Sequence, residues 1–117
     1  MQSTDIATSW VRGTLETCLL ALLARGEAYG YQLTQELAQR GIGQIPGGSL
    51  YPALARLEKA ELITSQWRPG VSGPGRKYYR LTGQGRQALA AHSQSWREFA
   101  ANVQELLSSG AEVSDDA

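Results

Sequence analysis

The chain has 117 residues, 42% of them hydrophobic, and its eleven Lys and Arg residues balance eleven Asp and Glu residues to a formal net charge of zero. This size and apolar share favour a single domain with its own core, whereas the one cysteine, Cys18, excludes an internal disulfide and a cysteine-rich zinc site. Taken alone, zero net charge also disfavours nucleic acid as a partner, because nucleic-acid-binding domains are commonly basic.

No segment has the pattern of a membrane span or a secretory signal. The longest strongly apolar run, residues 18–24, is far shorter than the ~20 residues that cross a bilayer. Residues 1–17 lack an apolar stretch followed by a small-residue cleavage site. We therefore expect no membrane partner and a cytoplasmic location.

Two helices are predicted first within the folded part, which we place at residues 10–107 between a flexible N-terminus (1–9) and a flexible acidic tail (108–117). The first helix ends near Gly26, and its apolar face consists of Leu15, Leu19, Leu22 and Leu23. The second has Gly41 as a C-terminal cap, and its apolar face consists of Tyr29, Leu33 and Leu37.

A third helix and a β-hairpin are predicted next. The helix covers about residues 49–60, and its buried stripe consists of Leu50, Leu54 and Leu57. Pro52 places its start near residue 49 or 50, because proline is tolerated where its missing N–H would have no partner. Residues 62–68 and 77–81 favour β-structure and flank a stretch rich in glycine and proline, which predicts a two-stranded hairpin with a long tip.

The last predicted helix begins after Thr82, a favourable N-cap residue. Apolar residues alternately three and four apart form a heptad seam: Leu89, His92, Trp96, Phe99, Val103 and Leu106. This spacing is typical of a helix that pairs with another helix, although a helix packed on its own domain's core can show it too. We favour dimerisation through these residues and keep core packing as the alternative.

Three helices, a hairpin and a long helix follow one another as in a winged helix-turn-helix module. The predicted fold class is mainly α with a small β-hairpin. It comprises a winged helix DNA-binding domain at residues 10–82 and a C-terminal dimerisation helix at residues 83–107. In such modules the third helix and the hairpin contact DNA.

The zero net charge is a cancellation between regions of the chain. Residues 56–86 hold seven basic and two acidic side chains, a local net of +5, whereas residues 87–117 have a local net of −4 and residues 1–55 of −1. Positive charge is therefore concentrated on the third helix and the hairpin. Resolved by position, the charge favours nucleic acid as a partner.

The outward face of the third helix has the composition of a DNA-reading surface. Burial of the leucines turns Ser49, Pro52, Arg56 and Lys59 outward together. Arg56 can form a bidentate hydrogen bond with guanine acceptors or bind a phosphate, and Lys59 can bind a phosphate. Ser49 can donate a hydrogen bond to an oxygen of the DNA backbone near the helix start. Tyr51 lies near enough to the start to reach a phosphate. A merely solvated face is the alternative, and the basic hairpin beside it favours DNA.

Basic residues flank the Gly- and Pro-rich loop of the hairpin tip on both sides. The backbone can then lie close to a duplex while Arg76 and Lys77 contact phosphate or a minor groove. A flexible solvated loop is the alternative. The glycines fit neither a dinucleotide-binding nor a P-loop pattern.

Catalysis and metal binding have no support in the residues. The chain has one histidine, His92, and one cysteine, which together cannot form a metal site. His92 falls in the apolar seam, where a packed residue is a simpler interpretation than a catalytic base. We expect no enzymatic activity, no catalytic residue, no cofactor and no metal.

Aromatic residues of the seam leave two interpretations open. Trp96 and Phe99 either fill space or stack on a flat apolar ligand. Trp10 joins the same interface if the N-terminal helix packs against the partner's last helix.

Three segments resemble the PadR-like family of bacterial transcriptional regulators: WVRGTLETCLLALLARGEAYGYQL (10–33), SLYPALARLEKAELI (49–63) and GRKYYRLTGQGR (75–86). The resemblance implies a winged helix domain with a C-terminal dimerisation helix, homodimers on a dyad operator, and repression relieved by a small molecule. It carries the family's DNA contacts to seven positions: Tyr31, Ser49, Tyr51, Pro52, Arg56, Arg76 and Lys77.

The single last helix is similar to that of the short subfamily, whose multidrug-responsive members hold planar ligands between tryptophans, and Trp96 matches that role. Two positions depart from the family pattern. Residues 70–73 (GVSG) replace an acidic residue that is common in the wing, and Glu61 stands where the family often has glycine.

The leading hypothesis is a homodimeric, sequence-specific repressor that occludes a promoter. One alternative is a ligand sensor in which the seam binds the effector, and another is a winged helix that serves as a protein adaptor with little direct DNA reading. The expected partners are double-stranded DNA, a second copy of the chain and a small apolar or aromatic effector.

Overall fold

The computed structural model describes residues 14–112. Its elements in chain order are α1 (Leu15–Ala24), β1 (Ala28–Tyr29), α2 (Gly30–Gln39), α3 (Gly47–Lys59), β2 (Ile63–Arg68), β3 (Arg76–Leu81) and α4 (Gly83–Glu112). This is a mainly helical fold with a small antiparallel sheet, and it confirms the predicted winged helix class.

One apolar core joins the first three helices to the sheet. The predicted leucine faces supply most of it, and residues of the strands close it from the other side. Its largest fully buried side chains are Leu19, Leu20, Leu23, Leu33, Leu37, Leu50, Leu54 and Ile63. Burying such a side chain contributes about 1.5–3 kcal/mol, so the regular leucine spacing fixes how α1, α2 and α3 face one another.

The sheet has three strands in the order β1-β3-β2, all antiparallel, where the sequence predicts only two. β1 has two residues, with Ala28 opposite Tyr79 and Tyr29 opposite Tyr78. Such a strand is too short to show an alternating pattern. It matters for the site because it ties the start of α2 to the wing, which consists of β2, β3 and the loop between them.

The helix α3 begins at Gly47, earlier than Pro52 led us to expect. The carbonyl of Pro46 accepts hydrogen bonds from the backbone N–H groups of Ser49 at 2.9 Å and Leu50 at 3.0 Å. Pro52 therefore lies inside the helix and leaves the carbonyl of Gly48, four residues earlier, without a helical donor. Gly48 is exposed, so water can solvate that carbonyl.

The C-terminal end of α3 is a Schellman motif with glutamate at the position that favours glycine. The N–H of Leu62 donates to the carbonyl of Leu57 at 3.0 Å, and the N–H of Glu61 donates to that of Glu58 at 2.9 Å. Glu61 has φ +64°, in the left-handed region. The position that departs from the family pattern is thus a strained one.

Thr82 caps α4 as the sequence predicts. Its Oγ1 accepts a hydrogen bond from the Gly85 N–H at 2.9 Å and donates one to the Glu61 carbonyl at 2.8 Å. Gly85 is buried, and a Cβ there would overlap the Leu62 carbonyl. This close approach fixes the root of α4 against the turn between α3 and β2.

The helix α4 has 30 residues and is therefore about 45 Å long. It continues to Glu112, whereas the sequence predicts a flexible tail from residue 108. No proline interrupts this stretch, and its single glycine, Gly110, costs a helix only about 1 kcal/mol. Ala88 and Leu89 pack against the core, so the first turns of α4 belong to the globular part.

Candidate nucleic-acid interface

The outward face of α3 is the first component of the site. Ser49, Pro52, Arg56 and Lys59 are all exposed, while the leucines on the opposite side of the helix are buried. The face therefore presents one hydroxyl and two cations to solvent along a helix about 20 Å long, which is the arrangement that the sequence predicts.

Tyr51 lies beside this face and packs on Gly30. A Cβ at Gly30 would overlap the Tyr51 ring and hydroxyl, so the glycine allows the first turn of α2 to contact α3 closely. Half of Tyr51 remains exposed, as does most of Tyr31 at the same end of α2. The two tyrosines predicted to contact DNA therefore occupy neighbouring positions on two helices.

An open groove of about 550 Å³ separates α3 from the wing. Aromatic and cationic side chains line most of it, including Tyr29, Tyr31, Tyr51, Trp67, Arg76 and Lys77. Four of these are predicted DNA contacts, so the fold brings Tyr31, Tyr51 and the two wing candidates to one groove. The other candidates on α3 do not line it: Ser49, Pro52, Arg56 and Lys59. The guanidinium of Arg76 stacks on the Tyr29 ring at 4.5 Å from its centroid.

Lys77 faces α3 and is held by an acidic residue of that helix. Its Nζ lies 3.6 Å from the Glu58 carboxylate, which also accepts a hydrogen bond from the Ser65 hydroxyl on β2. Glu58 thus links α3 to both long strands of the wing. Because both partners of the ion pair are about one-third exposed, the pair orients Lys77 more than it stabilises the fold.

Arg56 also has an acidic neighbour. Its Nε lies 3.6 Å from Oε2 of Glu16 on α1, and both side chains are largely exposed to solvent. The predicted base-reading arginine is therefore partly neutralised in the free protein. DNA would have to compete with this carboxylate for the guanidinium.

The basic residues of the wing divide between two faces of the sheet. Side chains alternate along a strand, so Arg68, Arg76 and Arg80 share the face that points away from the one on which Lys77 meets α3. Arg68 makes a bidentate ion pair with Glu27, and Arg80 lies 4.0 Å from the same carboxylate. The pKa of Glu27 lies below its usual value chiefly because Arg68 donates hydrogen bonds to it.

The heptad seam of α4 is divided as well. Leu89 packs against the core, and the His92 imidazole lies 3.4 Å from the Thr17 hydroxyl on α1. The rest of the seam is uncovered: Trp96 is 49% exposed, Phe99 63%, Val103 36% and Leu106 70%. Leu107, which the seam does not include, is 62% exposed beside them. Core packing thus accounts for Leu89, and His92 contacts α1 while it stays exposed. An apolar stripe remains beyond these two positions.

An open cavity of about 530 Å³ lies between α1 and α4 where the stripe begins. Apolar and hydroxyl-bearing side chains line it together with Trp96 and His92, among them Thr17, Cys18 and Ile42. The pKa of the Cys18 thiol lies above its usual value, because the effect of burial outweighs that of a hydrogen bond with Thr14. Trp96 and Phe99 are adjacent on α4, with ring centroids 6.4 Å apart.

Other predictions from the sequence meet the following limits. Trp10 lies outside the described residues. Within residues 14–112, no group of three or more His, Cys, Asp or Glu side chains is placed to hold a metal ion. No helix in that stretch is both long and apolar enough to cross a membrane.

Sequence reasoning missed three contributors to the interface. Glu16 and Glu58 meet their basic partners only after folding, and no local spacing marks them. Tyr29 was assigned to an apolar helical face, whereas it lies in β1 and supports Arg76. Its position directly before a glycine was the one available signal that the second helix begins later.

Comparisons with known proteins agree on one family. The family model of the transcriptional regulator PadR-like family matches residues 19–91, more than half of the chain. The transcriptional regulator Rv3488 of Mycobacterium tuberculosis is 39% identical over 92 residues, which cover 79% of this chain and 84% of that protein.

Solved structures give the same result. A PadR family transcriptional regulator from Eggerthella lenta is 41% identical, with a TM-score of 0.76 and coverage of 88% of this chain and 93% of that one. A PadR-like transcriptional regulator from Bacillus cereus is 36% identical, with a TM-score of 0.75 and coverage of 85% and 96%. The likeness thus spans most of each molecule.

Proposed function

This chain belongs to the PadR-like family of transcriptional regulators, and we propose that it is a homodimeric repressor that binds a dyad operator. One observation carries the proposal: Tyr31 of α2, Tyr51 of α3, and Arg76 and Lys77 of the wing line one groove, beside the exposed cations of α3. Members of the family are regulators and not enzymes, so the surface is interpreted as a binding site.

In this proposal α3 enters a major groove. Arg56 reads a base edge, and Lys59 and Tyr51 hold phosphates on either side of it. Ser49 and Pro52 lie against the groove near the start of the helix, where the positive end of the helix dipole favours phosphate. Arg76 and Lys77 contact phosphates or a minor groove from the wing.

The uncovered stripe of α4 supports the dimeric state. Five apolar side chains of α4 would remain exposed to water in a monomer: Trp96, Phe99, Val103, Leu106 and Leu107. Burying such a stripe against its symmetry mate is favourable at about 25 cal/mol per Å² of apolar surface. The winged helix domain (10–82) would then bind DNA, and the helix that begins at residue 83 would pair the two copies.

A second function, the sensing of a flat apolar ligand, is favoured by the cavity of about 530 Å³ beside Trp96. A ligand there would contact Trp96 together with α1, with Phe99, adjacent to Trp96, and Trp10 as further candidates. It could therefore change how α4 sits on the globular part and release DNA. Saturable quenching of tryptophan fluorescence by planar cations or phenolics, lost in Trp96→Ala, tests this.

The experiment for the repressor is a binding selection with purified protein on its own upstream region, followed by a footprint. We expect a protected dyad whose affinity falls steeply with salt, because phosphate contacts release counterions. Arg56→Ala should weaken operator binding by about 1–3 kcal/mol and relax specificity at one position of each half-site.

Arg40→Ala is the matched control. Arg40 is an exposed arginine directly after α2 that is paired with Glu36 and lies outside the groove. No dyad protection at low salt, or equal losses in the two variants, would contradict the proposal.

A further inference from the structure

The wing has a second basic surface that the proposed DNA interface does not use. Arg68 and Arg80 lie with Arg76 on the sheet face opposite α3, and of these three only Arg68 and Arg80 line a pocket with the end of α1 and the first turn of α4. Four arginines and one glutamate line an open pocket of about 510 Å³ at this junction: Arg25, Arg68, Arg80, Arg86 and Glu27. We call this the wing-root pocket.

The charges of the wing-root pocket are unbalanced. Four guanidinium groups against one carboxylate leave a net charge of +3. Glu27 pairs with Arg68 and lies near Arg80, but Arg25 and Arg86 have no carboxylate partner among the described side chains. Like charges gathered in one concavity repel one another, so an anion that enters the pocket would relieve this repulsion.

The chemistry of the pocket favours phosphate over a single carboxylate. Guanidinium groups bind phosphate oxygens through paired hydrogen bonds, and several of them around one cavity can engage more than one phosphate group. The volume is within the range of small-molecule sites, about 300–1,000 Å³. Aromatic support is present, since Arg68 stacks on Tyr78 at 4.6 Å from the ring centroid.

We propose that the wing-root pocket binds a small molecule carrying two or more phosphate groups. Its phosphate oxygens would replace the Glu27 carboxylate as the ion-pair partner of Arg68. None of the proposed DNA contacts on α2, α3 or the wing lines this pocket, so double-helical DNA held by them leaves it open. The Glu27–Arg68 pair joins the connection between α1 and α2 to the wing beside the pairing of β1 with β3, and exchange of its carboxylate for phosphate would loosen the wing.

Binding is tested on the full-length protein without DNA, with sodium tripolyphosphate as the probe. Calorimetric titration at constant ionic strength should give saturable binding. Arg80→Gln/Arg86→Gln should weaken it at least about tenfold, because the variant removes two charge-assisted hydrogen-bond donors from the pocket.

Arg40→Gln/Arg97→Gln is the matched control, because it removes two exposed arginines outside the pocket. It should leave the dissociation constant within about twofold, since isolated surface charges act weakly at this ionic strength. Absence of saturable binding, or equal weakening in both double variants, would overturn the proposal as non-specific attraction.

Glu27→Gln separates competition from a purely structural role. Loss of the competing carboxylate should strengthen tripolyphosphate binding severalfold and lower the melting temperature. Damage to the fold would instead weaken tripolyphosphate binding and lower the melting temperature. Unchanged or weaker binding in a folded Glu27→Gln variant would show that the phosphate does not displace Glu27.

The regulatory consequence rests on the proposed function and is measured separately. Tripolyphosphate should lower operator affinity of the unmodified protein and leave that of Arg80→Gln/Arg86→Gln unchanged. If the double variant instead loses operator affinity without phosphate as strongly as Arg56→Ala, these arginines contact DNA and the proposal is wrong. Phosphate binding without any operator binding would contradict only the proposed repressor.

Discussion

The guanidinium of Arg56 on α3 lies 3.6 Å from the carboxylate of Glu16 on α1. Both groups are exposed, so the pair adds little to stability, but it faces the surface proposed for DNA. We predict that Glu16→Gln raises operator affinity about two- to fivefold at low salt, because it removes a competitor for Arg56 and a charge that repels phosphate. Fluorescence anisotropy on the footprinted dyad measures the change.

Glu36→Gln is the control for this variant. Glu36 on α2 forms an ion pair with Arg40, so the substitution removes the same charge away from Arg56. The gain from Glu16→Gln should also shrink as salt is raised, since salt screens exposed charges. A loss of affinity would mean that Glu16 positions Arg56 for binding.

The apolar stripe of α4 gives the second prediction. Phe99→Asp should convert the dimer to monomer over the micromolar range and raise the dimer dissociation constant at least about a hundredfold, because a symmetric interface loses two buried rings of about 1.5–3 kcal/mol each. Sedimentation velocity measures the state.

Ala101→Asp introduces the same charge at an exposed position of α4 outside the seam. It should leave the dimer intact. If the Phe99→Asp variant sediments as a dimer like the unmodified protein, the apolar stripe of α4 is not the dimer interface.

Much of the fold follows from the leucine spacing. Each run of leucines in α1, α2 and α3 marks a face that is buried in the core, and the Gly- and Pro-rich break predicts the hairpin. The outward position of Arg56 follows in the same way, since burial of its leucine neighbours determines it. These features depend on local periodicity, which is visible in a single sequence.

The distribution of charge over the site could not be predicted in this way. A local net charge of +5 over residues 56–86 does not tell on which face of the sheet each basic side chain lies. In β3, side-chain alternation directs Lys77 towards α3 and Arg80 away from it. The partner of Arg56 is Glu16, forty residues earlier in the chain. Such pairings arise from tertiary contact, as does the two-residue strand β1, which only its pairing with β3 defines.

Glu61 at the end of α3 gives the third prediction. Its left-handed backbone costs a non-glycine residue about 1–2 kcal/mol, of which glycine recovers part after its own entropy cost. Glu61→Gly should therefore raise the free energy of unfolding by about 0.5–1 kcal/mol, measured by urea denaturation.

The same replacement at a helical backbone position separates the effect of φ from the loss of charge. Glu98 lies inside α4, and Glu98→Gly should lower the free energy of unfolding by about 1 kcal/mol. A destabilised Glu61→Gly variant would mean that contacts of the Glu61 side chain outweigh the backbone strain.

The last prediction concerns two glycines in the first turn of α4. A Cβ at Gly85 would overlap the Leu62 carbonyl, whereas one at Gly83 meets nothing within 4 Å. Gly85→Ala should lower the free energy of unfolding by about 1–3 kcal/mol, as overpacking does, while Gly83→Ala should be neutral or stabilising by up to about 1 kcal/mol through helix propensity. Thermal and urea unfolding of the pair measure both effects. Equal stability in the two variants would contradict close packing of α4 on the turn before β2.

Because that packing sets the direction in which α4 leaves the winged helix, Gly85→Ala should also weaken operator binding by a dimer more than it weakens binding to an isolated half-site.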